Sequence, residues 1–143
     1  GYPQRAYRDQ DHLYIINFKP YRWPMGDPYN LNGDEEPTID QLTNNTFVTL
    51  GDYDASPTKA FLVSNRNSPE YAKFYEFGFG KRPREELFIL SDDPHQINNV
   101  ASDPANADLQ AELNKKLMSE LRRVGDPRVL GDGSTFDKAP YTD

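Results

Sequence analysis

The densest group of side chains able to recognise a ligand is Lys19, Tyr21, Arg22 and Trp23, set in Lys-Pro-Tyr-Arg-Trp-Pro at 19–24. An arginine fork matches the paired oxygens of a sulfate or carboxylate, and an indole or phenol offers a flat face to a sugar ring. The same residues equally allow a loop anchored by its aromatics, with Arg22 in an ion pair. A second basic group, Lys81, Arg82 and Arg84, runs straight into Glu85 and Glu86 and reads as solvated surface. His12 and His95 are the only histidines, and no HxxH or HExxH spacing exists. Asp52-x-Asp54 and Asp92-Asp93 lack the spacing of a calcium loop and read as turn caps. No Gly-rich phosphate loop and no nucleophile elbow is present. Asn44-Asn45-Thr46 fits a glycosylation acceptor, which matters only for a secreted eukaryotic protein. With no cysteine in the chain, disulfides, thiolate metal sites and a cysteine nucleophile are excluded, and the redox compartment stays open.

The totals bound what these groups can belong to. A chain of 143 residues suffices for one domain with a modest core. Its hydrophobic content of 36% is low while its aromatics reach 13%, so broad aromatic surfaces surround a thin core and some of them call for a partner. No run approaches the roughly 20 apolar residues of a membrane span, and no signal peptide is visible, so no membrane partner is expected. The first residues lead at once into a plausible strand, which fits a piece of a longer protein. A net charge of −7 and a pI near 4.8 argue against a nucleic-acid partner. The charge is uneven, though: residues 1–25 carry four cations against two acids, a local excess of +2.

The elements that must position these residues follow from periodicity and punctuation. Tyr2–Arg8 and His12–Phe18 are β-rich runs joined by Asp9-Gln10-Asp11, which predicts a hairpin over 2–18. Both faces of the second run are largely apolar, as in a central strand covered on both sides. Residues 19–80 form a long loop with short helices. Tyr21, Trp23, Met25 and Tyr29 would order the loop by burial. Thr38–Asn45 is a short helix carrying Ile39 and Leu42. Ser56-Pro57 opens a helix to about Asn65, and Ser68-Pro69 opens another that ends at Gly78. A strand is expected over 86–90, stopped by Ser91-Asp92-Asp93-Pro94. A helix follows over 104–123, with Leu109, Leu113, Leu117 and Leu121 in one stripe, and an extended tail over 126–143. The sum is α+β, a small antiparallel sheet packed against a long C-terminal helix and short ones.

Glu-Leu-Phe-Ile-Leu-Ser-Asp-Asp-Pro-His-Gln-Ile-Asn-Asn-Val-Ala, at 86–101, resembles the Glu-Leu-Tyr-Asp-Leu…Asp-Pro-x-Glu-x-x-Asn-Leu signature of the sulfatase C-terminal subdomain. Phe88, Ile89 and Gln96 stand where that signature has Tyr, Asp and Glu. The hairpin Arg-Ala-Tyr-Arg…Leu-Tyr-Ile-Ile-Asn-Phe is similar to the one that opens the subdomain. The Arg-Trp-Pro loop, Ser56-Pro57-Thr58 and the closing Gly-Asp-Pro-Arg-Val resemble the heparan N-sulfatase (sulfamidase)-like branch. The resemblance covers nearly the whole chain in order.

It implies a single subdomain over 1–143 with a four-stranded antiparallel sheet and a helix. The subdomain would pack on an N-terminal catalytic sulfatase domain and border the substrate cleft. Implied partners are that domain, a sulfated carbohydrate and a homodimer mate. The parent would hydrolyse sulfate esters or sulfamates in a periplasmic, secreted or lysosome-like setting. The implied cofactors, calcium and a formylglycine made within Cys/Ser-x-Pro-x-Arg, belong to the catalytic domain. Ser56-Pro57-Thr58-Lys59 lacks that motif's spacing, so no catalytic or metal-binding residue carries over to this chain. Lys19, Tyr21, Arg22 and Trp23 remain as substrate-facing candidates, and a stand-alone glycan-binding or protein-interaction module is the rival reading.

Overall fold

The computed structural model describes residues 2–137. Within 1–143, read above as one subdomain, the chain packs into two compact units. Among the described residues, one holds Pro3–Phe18 and Pro83–Asp137; the other holds Lys19–Arg82 together with Tyr2.

The first unit is α+β. Strands β1 (Gln4–Arg8), β2 (His12–Asn17) and β3 (Glu85–Ile89) form an antiparallel sheet in the order β1-β2-β3. The hairpin is set by Asp9. Its carboxylate accepts the N–H groups of Asp11 (3.0 Å) and His12 (2.8 Å). That side-chain mimic of a backbone turn explains why Asp-Gln-Asp suits this position. Register places Tyr14 between Tyr7 and Leu87. Tyr14 and Ile16 are fully buried, whereas Leu13 and Ile15 on the opposite face are half-buried. β2 is thus the middle strand, with its dry core on the Tyr14 side.

Helix α4 (Ala107–Arg123) covers that side. Leu113, Leu117 and Leu121 of the expected stripe are buried among Tyr14, Ile16 and Leu87, and Leu109 packs at the margin. Asp103 opens the segment by accepting from Ala105 N–H at 2.9 Å. A left-handed Gly125 (φ +75°) closes it. Gly125 N–H reaches Arg122 O and Asp126 N–H reaches Leu121 O, so two orphan carbonyls of the last turn are satisfied.

Two expectations are corrected in this unit. Three strands form among the described residues, not four. The outer edge of β3 is occupied by other means: Asn99 Oδ1 accepts from Leu87 N–H at 2.9 Å, and Val100 N–H donates to Leu87 O at 2.9 Å. Both backbone groups of Leu87 are used without a ladder, which also blunts the edge against stray pairing. Nor is the segment after Gly125 extended. Asp126 caps a short helix α5 (Pro127–Leu130) by accepting from Arg128 N–H, and a 3-10 turn follows over Ser134–Asp137. The remainder of the expected tail, 138–143, lies outside the described residues.

The second unit contains α1 (Ile39–Asn44), α2 (Pro57–Ser64) and α3 (Ala72–Phe79). Thr38 and Gln41 form a capping box at α1, and Ser56 caps α2 with Pro57 at its first position. α3 begins four residues beyond Ser68, because residues 68–71 are spent in a tight turn in which Tyr71 and Ala72 N–H both donate to Ser68 O. It then runs through Gly78 and ends at Gly80. Leu31, Leu42, Leu50, Ala60, Val63 and Phe79 form the core. Of the two apolar residues that α1 carries, Leu42 is in this core and Ile39 is 67% exposed.

Candidate functional site

The four sequence candidates lie in the second unit. The loop that carries them is held by its backbone as well as by burial, so the expected ordering by burial holds only in part. Gly26 (φ +86°) lies so close to the strip after Leu50 that a side chain there would start 2.9 Å from Gly51 N. Met25 O accepts from Asp52 N–H, and Asp27 O accepts from Leu50 N–H. With the chain held this way, Tyr21 stays 67% and Tyr29 46% exposed, while Trp23 and Met25 are half-buried.

The strip at 46–53 is itself held by a buried cation. Lys59 is fully buried, and its ammonium donates to three backbone carbonyls, Thr46 (2.9 Å), Leu50 (3.2 Å) and Tyr53 (2.9 Å). Every ammonium proton is therefore matched, as a buried charge requires. Burial pushes the Lys59 pKa below its ordinary value, with the Asp54 charge opposing. Leu50 sits in the left-handed region (φ +49°), a strained conformation for a residue with a Cβ. The Lys59 bond to its carbonyl helps to hold it there.

Trp23 lines a cleft of about 530 Å³, formed with Leu31, Asn32, Arg66, Lys73, Tyr75 and Glu76 among others. Lys19, Tyr21 and Arg22 are not among its lining residues, so the structure separates Trp23 from the other three. Lys81, read from sequence as solvated surface, stands 4.7 Å from the centre of the Trp23 ring, a favourable cation–π geometry. Arg66 is committed within the protein: it donates to Val63 O at 3.0 Å, to Leu31 O and to the Glu36 carboxylate. Lys73 contributes a further positive charge beside the Phe74 ring. Burial raises the Tyr75 pKa, which Arg66 lowers and Glu76 raises. The cleft can thus offer an aromatic wall, the ammonium of Lys73 and the carboxamide of Asn32 to a ligand that carries negative charge and a ring.

Comparison with protein-family models finds no match, and none is found among curated proteins.

Sequence reasoning missed Lys73, Tyr75 and Glu76. Their signal was the i,i+3 spacing of Lys73 and Glu76, which puts both on one face of α3, but nothing in the sequence tied that face to Trp23. The remaining candidates resolve into structural roles. His12 Nδ1 meets the Asp9 carboxylate at 3.1 Å, and His95 is exposed in its turn. Asp93 accepts from Asn98 N–H at 2.7 Å and Asp92 from the Ser91 hydroxyl at 3.0 Å. Among the described residues no group of three His, Asp or Glu side chains is placed to hold a metal. Ser56 Oγ is engaged as the α2 cap.

Proposed function

We propose that this chain is the C-terminal subdomain of a sulfatase of the heparan N-sulfatase-like branch, which acts on a sulfated glycan. In this reading it completes the fold of an N-terminal catalytic domain and lines one wall of the substrate pocket. The formylglycine and calcium are supplied by that domain, so the chain alone is inactive. The observation that carries the reading is the Glu85–Ala101 segment. Its family-like residues include Asp93 and Asn99, and both act through side-chain bonds to backbone N–H groups. Such bonds give a physical reason for a fixed sequence that does no chemistry. Exposed aromatics such as Phe47, Phe61, Phe74 and Phe77 also suit an element that buries surface against a partner domain.

The test joins the chain to a catalytic domain bearing Cys/Ser-x-Pro-x-Arg and compares release of sulfate or sulfamate sulfur from an oligosaccharide with release from a small aryl sulfate. Arg22→Ala and Trp23→Ala are expected to lower the first more than the second. An equal fall, or none, removes the pocket role, and an upstream sequence lacking the motif removes the sulfatase reading altogether.

A second reading, a stand-alone glycan-binding or interaction module, is favoured by one observation: Trp23, Lys73 and Lys81 are all held within a single compact unit. Titration of the isolated chain with sulfated oligosaccharides separates the two, since only a stand-alone module is expected to bind them without the catalytic domain.

A further inference from the structure

Asn32-Gly33 is the chain's one Asn-Gly pair. Both residues are exposed in irregular chain. Nothing stands within 4 Å of the point where a Gly33 side chain would begin. Among the described residues, neither the Gly33 N–H nor the Asn32 carboxamide has a hydrogen-bond partner. An unhindered amide nitrogen beside a free carboxamide is the arrangement that ring closure needs, and glycine supplies the backbone freedom to reach it.

We infer that Asn32 is a site of spontaneous deamidation. The Gly33 backbone nitrogen bonds to Asn32 Cγ, and the side-chain NH2 leaves as ammonia, taking the proton from the Gly33 amide. The product is a five-membered succinimide. Water then adds to one of its two carbonyls. Breaking the new N–Cγ bond gives aspartate, and breaking the original peptide bond to the Asn32 carbonyl gives isoaspartate. No enzyme or oxidant is needed, and the rate rises with pH because the attacking nitrogen must lose its proton.

The chain carries its own contrast. Asp132-Gly133 could form the same ring by loss of water, but Gly133 is buried, its N–H donates to Pro127 O at 3.0 Å, and the Arg128 side chain packs where a Cβ would stand. The fold immobilises one Gly-preceding pair and leaves the other open. Asn32 also lines the Trp23 cleft. Deamidation there replaces a neutral hydrogen-bond donor with a carboxylate near Arg66 and Lys73, on a chain already at −7. The modified form is therefore expected to hold anions at this cleft less well.

The test incubates the folded chain at mildly alkaline pH and follows each peptide by mass spectrometry with fragmentation that separates aspartate from isoaspartate. The Asn32 peptide is expected to gain the mass difference between NH2 and OH, with isoaspartate present, whereas Asp132 yields isoaspartate only once urea has unfolded the chain. Gly33→Ala, which the open space accommodates, is expected to lose most of the conversion. An Asn32 peptide that stays unchanged in the folded chain while converting in urea would overturn the inference. Conversion of Gly33→Ala at the rate of the parent would do the same.

Discussion

Lys59 gives the sharpest test of how the second unit is held together. Lys59→Met keeps an unbranched four-atom apolar stem, with sulfur in place of one methylene, and removes the ammonium. Three carbonyls lose their donor, that of Leu50 in a buried bond and those of Thr46 and Tyr53 in part-buried ones. Each buried group left unsatisfied costs about 1–3 kcal/mol, so about 9 kcal/mol is the upper bound of the gross loss, and the two part-buried carbonyls fall short of their share. Against this, methionine carries no charge, and burying an ion costs several kcal/mol even after relaxation. Local relaxation of 46–53 and the release of Leu50 from its left-handed backbone recover more. We expect a net loss of about 3 kcal/mol, in line with removal of one partner from a buried charged arrangement. Urea unfolding followed by Trp23 fluorescence measures it, because this is the only tryptophan in the chain and it lies in the same unit. A loss under about 1 kcal/mol at an unchanged slope would refute the reasoning. It would mean that the carbonyls rehydrate at once and that the lysine is a passenger.

Asn99→Ala removes the acceptor of Leu87 N–H and Ala101 N–H; we expect a loss of about 1–3 kcal/mol and faster hydrogen exchange at the Leu87 amide. Leu117→Ala, at a buried position in the α4 stripe, should cost about 2–5 kcal/mol by calorimetry, and Leu109→Ala, at the margin, clearly less. Asp9→Asn keeps the side-chain oxygen but removes its charge. In the folded chain burial raises the Asp9 pKa, but the N–H groups of Asp11 and His12 and the His12 ring outweigh it and set the carboxyl below 3.8. Its stabilisation is therefore present above 3.8 and lost as pH falls through the folded value. The advantage of the parent over Asp9→Asn in urea midpoint should shrink across that acid range.

How far the sequence could be read depended on whether an interaction was local. The hairpin, the Ser56-Pro57 cap and the α4 stripe are written in residues a few positions apart, and the structure has them. α5 was also written, in Asp126-Pro127, but a Gly-Asp-Pro triplet that ends one helix hides the fact that its Asp caps the next. The start of α3 was misplaced because Ser68-Pro69 serves a turn as readily as a helix. What stayed illegible is long-range. Tyr14, Glu85, Asn114 and Gln110 share one hydrogen-bonded cluster behind the core, and burial together with Glu85 raises the Tyr14 pKa. Nothing in their spacing announces it. Lys59 looked like any surface lysine, and Arg66 gave no sign of its bonds to Leu31 and Glu36. At the candidate site, Trp23 was found by type, whereas its neighbours Lys73 and Lys81 lie 50 and 58 residues further along the chain.

The connectivity of the two units bears on the order in which they form. Lys19–Arg82 enters as one unbroken stretch between β2 and β3, and its flanks meet again where Asn17 bonds to Arg84 O at 2.9 Å and Pro83 O at 2.7 Å. Pairing β2 with β3 therefore means closing a loop the length of the whole insertion, an entropic cost that grows with the length of flexible chain. The inserted unit has contiguous contacts of its own, and once compact it acts as a short tether. Its early collapse would speed the sheet it interrupts. Pulse-labelled hydrogen exchange during refolding would then protect amides of α1–α3 before those joining β2 to β3, and the reverse order would show that the sheet closes unaided.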